Sequence, residues 1–245
     1  MFSKEGLPAP AQPDRNCLAA QSVARVGRVS SIKLAACFAG VWCTLVSASE
    51  PAAAVAADAA FARLTEGNKR FVSDALTHPE QTAARRTETA QGQHPFAIIL
   101  TCADSRLSPE IIFDQGIGDL FVVRNAGNLL DDHVVGSVEY AFEHLHATLV
   151  VVLGHTKCGA VSAAVAGGEA PGHLKSIVAS LADAVAMAQK KPGDPVDNAV
   201  RVSAKLSAAA LTQSEPLLAE AVKSGQLKVV AARYDIATGQ VEFFP

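Results

Sequence analysis

The sequence predicts an α/β fold: a mostly parallel central β-sheet with an antiparallel edge strand, flanked by helices. Two observations carry this. Phe96-Ala97-Ile98-Ile99-Leu100-Thr101 and Leu149-Val150-Val151-Val152-Leu153-Gly154 are nearly continuous apolar runs, as strands covered on both faces are. Segments of helical spacing alternate with such runs, which is the pattern of a parallel sheet. Near the C-terminus, Leu227 to Asp235, the turn Ala237-Thr238-Gly239 and Val241-Glu242-Phe243-Phe244 read as a hairpin that supplies the antiparallel edge.

The elements follow in order. Asp58 is placed to cap a helix carrying Phe61, Leu64 and Phe71 on one face, with Gly67-Asn68 interrupting its propensity. Arg85, Arg86 and Glu88 continue a helical region that Gln91-Gly92-Gln93-His94-Pro95 breaks before the first strand. Ser108-Pro109-Glu110 opens a helix predicted to end near Gly116 and Gly118. Asp119 to Arg124 is the next strand, and Arg124-Asn125-Ala126-Gly127-Asn128 the turn after it. Val134, Val138, Ala141, Phe142 and Leu145 keep helical spacing. After the strand ending at His155, Ala160 to Ala166 is a helix of small residues. Leu174, Ile177, Val178, Leu181 and Val185 mark one further amphipathic helix. Lys191 to Pro195 is a loop, and two helical segments flank Ser214-Glu215-Pro216. One domain, 60–245, accommodates all of this.

Composition narrows the class. Hydrophobic residues make up 49% and charged ones 18%, enough for a large core. Residues 1–49 read as a leader: Arg15, Arg25, Arg28 and Lys33 precede the apolar run Leu34 to Val46, and Ser47-Ala48-Ser49 offers small residues for cleavage. The run falls short of the roughly 20 residues a membrane helix needs. Residues 50–59 are an Ala-rich linker. The expectation is an exported, periplasmic protein without stable membrane association once the leader is removed; the alternative is a cytoplasmic one if the leader is not a working signal. Without residues 1–49, 16 Lys and Arg face 22 Asp and Glu, a formal charge of −6. Such a surface excludes a nucleic-acid groove. Cys17, Cys37 and Cys43 fall in the leader, so Cys102 and Cys158 alone remain.

Those two cysteines sit where chemistry is expected. The first buried run ends in Cys102-Ala103-Asp104-Ser105-Arg106, and the second in His155-Thr156-Lys157-Cys158-Gly159. In a parallel sheet the C-terminal ends of strands share one edge, and neighbours lie about 4.8 Å apart. Two thiolates and an imidazole therefore converge on one ion, and this borderline-soft set suits Zn²⁺. Three ligands with a fourth position left is the catalytic pattern. Asp104 is placed either to fill the fourth place or to guard it, and Arg106 to hold it bidentately.

Cys102-x-Asp104-Ser105-Arg106 with His155-x-x-Cys158-Gly159 resembles the β-class carbonic anhydrases, with similarity from about Phe61 to the C-terminus. The turn Arg124 to Asn128 matches the family's second signature. Leu64-x-Glu66-Gly67-Asn68-x-Arg70-Phe71 resembles its N-terminal helix, which packs across a partner subunit. The resemblance implies reversible hydration of CO₂ to bicarbonate and a proton by zinc-bound hydroxide, with one zinc per chain. It implies Cys102, His155 and Cys158 as ligands, and Asp104 and Arg106 as catalytic residues. Gln93, Phe121, Ala126, Gly127 and Tyr140 match positions that bind substrate or line its pocket. A homodimer or higher oligomer is implied, Gln93 and Tyr140 contributing across the interface.

In the family Asp104 can also ligate zinc and close the site. Members regulated that way carry a tryptophan where this chain has Ile99, which favours the open form here. Two thiolates and a neutral imidazole leave Zn²⁺ no net charge, so its water ionises less readily than at a three-histidine site. Asp104 is the compensating acceptor. His133, beside Asp131-Asp132, is a candidate proton shuttle. Rival readings are hydrolysis of a CO₂ analogue such as CS₂ or COS, and a zinc protein without catalysis.

Overall fold

The computed structural model describes residues 54–244; the leader and residues 50–53 of the linker lie outside the described residues. Five strands form one sheet in the order β2-β1-β3-β4-β5. They are β1 (Ala97–Cys102), β2 (Leu120–Asn125), β3 (Leu149–His155), β4 (Lys228–Tyr234) and β5 (Val241–Phe244). The first four run parallel, and only the β4–β5 pair is antiparallel. β1 and β3 are buried at every position because both faces are covered. Alternation along each strand divides the core. Ile99, Val151 and Leu153 face one layer, and Ile98, Leu100, Val150 and Val152 the other.

The first layer is built from α1 (Ala57–Val72), α3 (Pro109–Ile112), α5 (Gly159–Ala166) and α7 (Ala182–Ala188), through Leu64, Ile112, Val161 and Val185. The second comes from α4 (Asp132–Glu143), the later turns of α8 (Pro195–Thr212) and α9 (Leu217–Lys223), through Val138, Leu211 and Leu218. Two short helices, α2 (Ala83–Thr89) and α6 (Leu174–Ser180), bury nothing fully.

Strand order locates the site. The chain leaves β1 for β2 on one side and reaches β3 on the other. The gap between β1 and β3 is thus a topological switch point, and their C-terminal ends form the crevice where such sheets bind ligands.

Four expectations are corrected. Asp58 does not cap α1: Ala56 is the N-cap, and Asp58 lies in the first turn, bonded to Lys228 Nζ at 2.8 Å. The helix opened by Ser108-Pro109 stops at Ile112, because Asp114 takes a left-handed φ of 45°. The buried Asp114 carboxylate accepts from Arg70 Nε, Thr77 N, Thr77 Oγ1 and His78 N, which ties down the loop after α1. The helix over Leu174 to Val185 is two helices that meet at fully buried Leu181. There the Leu181 N–H bonds back three residues, to Val178 O. Pro195, read as loop, is the first residue of α8, which Asp194 caps through Val196 N and Asp197 N.

Gly67-Asn68, the low-propensity pair inside α1, has a packing role. The helix runs through both, and each is buried for a reason. A Cβ on Gly67 would lie 1.7 Å from the Phe113 carbonyl oxygen, so only glycine admits α3 this closely. Asn68 donates to Ile112 O and Gly239 O and accepts from Val241 N, binding α1 to α3 and the β4–β5 hairpin. Gly67→Ala is expected to destabilise the fold by about 3 kcal/mol, because backbone rather than a flexible side chain must move. A urea midpoint equal to the parent's would contradict this.

Candidate metal centre

The site is built from three turns at the C-terminal edge of the sheet. Cys102 is the last residue of β1, His155 the last of β3, and Cys158 the N-cap of α5. Thr101 pairs with Leu153 in register, so Cys102 and His155 end neighbouring strands nearly level. Lys157, at φ 55°, bends the chain so that Cys158 returns toward His155. The ligand atoms of the three residues all lie within 4.8 Å of one another, and all three residues are buried.

The surroundings suit a cation. His155 Nδ1 lies 2.9 Å from Thr156 O, and donating there leaves the lone pair on Nε2. That Nε2 is fully buried and has no hydrogen-bond partner, a costly arrangement unless something else binds it. Gly127 N–H donates to Cys102 Sγ at 3.3 Å, which favours a thiolate. Hydrogen bonding with Cys158 draws the Cys102 thiol down, and the same coupling together with burial pushes Cys158 up. A soft divalent ion would displace the thiol protons. On donor type, burial and the orphaned imidazole nitrogen, these residues fit zinc.

Asp104 stands beside this group, its Oδ2 4.0 Å from His155 Nε2. Oδ1 accepts from Arg106 N at 3.0 Å and Arg106 Nε at 2.9 Å, and Oδ2 from Arg106 Nη2 at 2.7 Å. The Arg106 fork holds the carboxyl well below the usual carboxylate range, against the opposing effect of burial. Arg106 Nη2 also reaches Lys157 O, linking the two ligand loops.

The other expected site residues separate by strand register. Ala126 and Gly127 follow β2 beside Cys102, and Gly127 holds φ 84° to aim its N–H at the sulfur. Phe121 pairs with Ile98, four residues down the strand from the Cys102–Asn125 pair, or about 13 Å away. Tyr140, an exposed residue of α4, packs against Phe121 with ring centroids 6.2 Å apart. Gln93 is exposed and precedes β1, at the end opposite Cys102. A single chain therefore does not bring Gln93, Phe121 or Tyr140 to the metal group. His133 is exposed in the first turn of α4. An apolar hollow of about 390 Å³ opens against the first turns of α5, lined by Ala126, Ala160, Leu174 and Ile177 among others. Sequence reasoning passed over the Thr156 carbonyl and the Gly127 amide, both backbone groups. A glycine in a turn facing a cysteine was the one available signal for the second.

Taken together, the fold is that of an α/β protein whose switch point carries a buried Cys-His-Cys group able to hold a metal ion, with a carboxylate held beside it. Comparison with known proteins narrows the class. The family described as "Carbonic anhydrase" matches residues 97–241. "Carbonic anhydrase 2" of Mycobacterium tuberculosis is 41% identical over 186 residues, 74% of this chain and 90% of that protein. The "Carbonic anhydrase" of Mycolicibacterium smegmatis is 39% identical over 188 residues, 75% of this chain and 91% of that one. Among solved structures, the β-carbonic anhydrase CafA of Aspergillus fumigatus superposes with a TM-score of 0.60 at 30% identity, over 76% of this chain and 89% of that one. One of two tetrameric β-carbonic anhydrases from Sordaria macrospora gives 0.59 at 26% identity, over 65% and 85%. The chain belongs to the carbonic anhydrase family, in its β class.

Proposed function

We propose that this chain hydrates CO₂ reversibly to bicarbonate and a proton, using one zinc ion held by Cys102, His155 and Cys158. The observation that carries the reading is the buried, unpartnered Nε2 of His155 facing two thiols, beside the Asp104–Arg106 pair. Bound there, zinc supplies a Lewis acid that makes hydroxide available near neutral pH.

The chain's own residues do the rest. Thr156 O fixes the imidazole tautomer. Asp104 is the acceptor that orients the nucleophile. Each carboxylate oxygen takes about two hydrogen bonds. Oδ1 spends both on Arg106, while Oδ2 spends one and keeps a lone pair for the site. Arg106 positions Asp104 and keeps it from acting as a fourth ligand. Ile99, in place of the tryptophan of regulated members, supports the same open arrangement.

CO₂ carries no charge to grip, so an apolar approach suffices. Gln93, Phe121 and Tyr140 would line that approach only from a second copy of the chain, which favours a homo-oligomer; the Sordaria macrospora relatives are tetramers. Residues 1–49 would direct export to the periplasm before removal.

Stopped-flow CO₂ hydration, with zinc-loaded and chelator-treated protein, tests the reading. Activity is expected only in the loaded protein and should return when zinc is restored. A fully loaded protein without hydration activity would sink the proposal.

A further inference from the structure

We infer that Arg124 is a positioning residue of the metal centre: it holds the peptide that follows Cys102, and so the direction of that thiolate, in the form that retains a metal ion. The inference rests on the metal group proposed above. Arg124 is exposed at the end of β2, and among the described residues it makes no ion pair. Its guanidinium goes to backbone instead. Nε donates to Cys102 O at 3.1 Å and Nη2 to Asp104 O at 2.9 Å.

One planar fork therefore spans two carbonyls on either side of Ala103. The same peptide is held from its other end, since Ala103 N–H donates to Asn125 O at 2.9 Å. With the Gly127 N–H on the sulfur, residues 124, 125 and 127 fix the thiolate and the peptide after it.

The turn that supplies these groups is itself locked. Asn125 Oδ1 accepts from Leu129 N at 2.7 Å, and Asn125 Nδ2 donates to Leu129 O at 2.9 Å. A rigid turn on β2 thus acts on a ligand of β1. Lysine could not substitute, because an ammonium on a flexible stem does not present two donors in a fixed plane. Groups that orient metal ligands from behind typically change metal affinity or activity by about 10- to 100-fold when removed.

The test compares the parent with Arg124→Lys and Arg124→Ala. Three readouts are zinc transfer to a chromophoric chelator, the absorption bands of the cobalt-substituted protein, and the urea midpoint. Arg124→Ala is expected to release zinc about 10- to 100-fold faster, with shifted thiolate-to-cobalt bands and an unchanged urea midpoint. Arg124→Lys should fall between. Millimolar guanidinium should slow zinc release from the Ala variant and leave the parent unaffected.

Parental release and cobalt bands in both variants would overturn the inference. So would faster release that merely tracks lost stability. Should the Ala variant not fold, the Lys variant decides, and parental behaviour there would overturn the role of the fork. A parent that binds metal without hydrating CO₂ would defeat the proposed reaction and leave this inference standing. A parent that takes up neither zinc nor cobalt would overturn both.

Discussion

Cys158→Ser is expected to strip the protein of nearly all its zinc without unfolding it. A serine hydroxyl stays protonated where a thiol gives up its proton to a metal, so the site loses one anionic, soft donor of three. The remaining Cys102 and His155 make a two-ligand site, and the loss should exceed the roughly 10–100-fold cost of outer changes. The fold should not follow. Cys158 is the N-cap of α5 and makes no side-chain cap hydrogen bond. Serine is among the preferred N-cap residues, so the helix start is kept or improved. Metal analysis after gel filtration, paired with a urea midpoint, checks both halves. Full zinc occupancy in this variant would remove Cys158 from the ligand set.

Asp104→Asn is expected to lower kcat/KM by about 10²-fold or more while zinc stays near one per chain. The reason lies in donor counting. The carboxylate takes three N–H groups of Arg106 on two oxygens. An amide has one oxygen. If that oxygen keeps the two bonds of Oδ1, the amide N–H₂ replaces Oδ2. It then opposes the Arg106 donor and turns an N–H toward the site. The shape survives and the acceptor is lost.

Asp104 is depressed well below ordinary carboxylates by Arg106, so it stays ionised at neutral and alkaline pH and loses its charge only in strong acid. The deficit of the variant should accordingly be the same at every pH from neutral upward. Stopped-flow hydration alongside zinc stoichiometry decides. A near-parental rate would take Asp104 out of the mechanism, and lost zinc would make it a fourth ligand.

Much of this architecture was legible from local pattern. Ile98 to Leu100 and Val150 to Leu153 are apolar at consecutive positions and rich in β-branched residues, as a strand covered on both faces is. Cys102 and His155 stood at strand ends, with Cys158 three residues beyond the second, and a parallel sheet brings strand ends together without further information.

What stayed illegible depended on distant partners. Asn68 looked like a helix weakener because its three bonds go to Ile112, Gly239 and Val241, far along the chain. The break at Leu181 lies in the backbone, where its N–H bonds back to Val178 O, and the apolar spacing that runs unbroken through Leu181 does not encode it. Phe121 and Gln93 are near Cys102 by motif, yet register along β1 and β2 carries them toward the opposite end of the sheet. Arg124 read as a member of a signature, and its use emerges only once two carbonyls of another strand face it.

The strand ends that carry the proposed ligands have a consequence for how an ion would come and go. Cys102 and His155 are anchored by apolar packing of β1 and β3 that involves no metal at all. Small zinc domains collapse only when their ion arrives, and uptake there is inseparable from folding. Here that packing orders the cradle without the ion, so the binding free energy, less the cost of displacing the thiol protons, would express itself as affinity. Exchange of one ion for another would then be a local event at the rim of a packed sheet, governed by ligand chemistry rather than by the chain finding its shape.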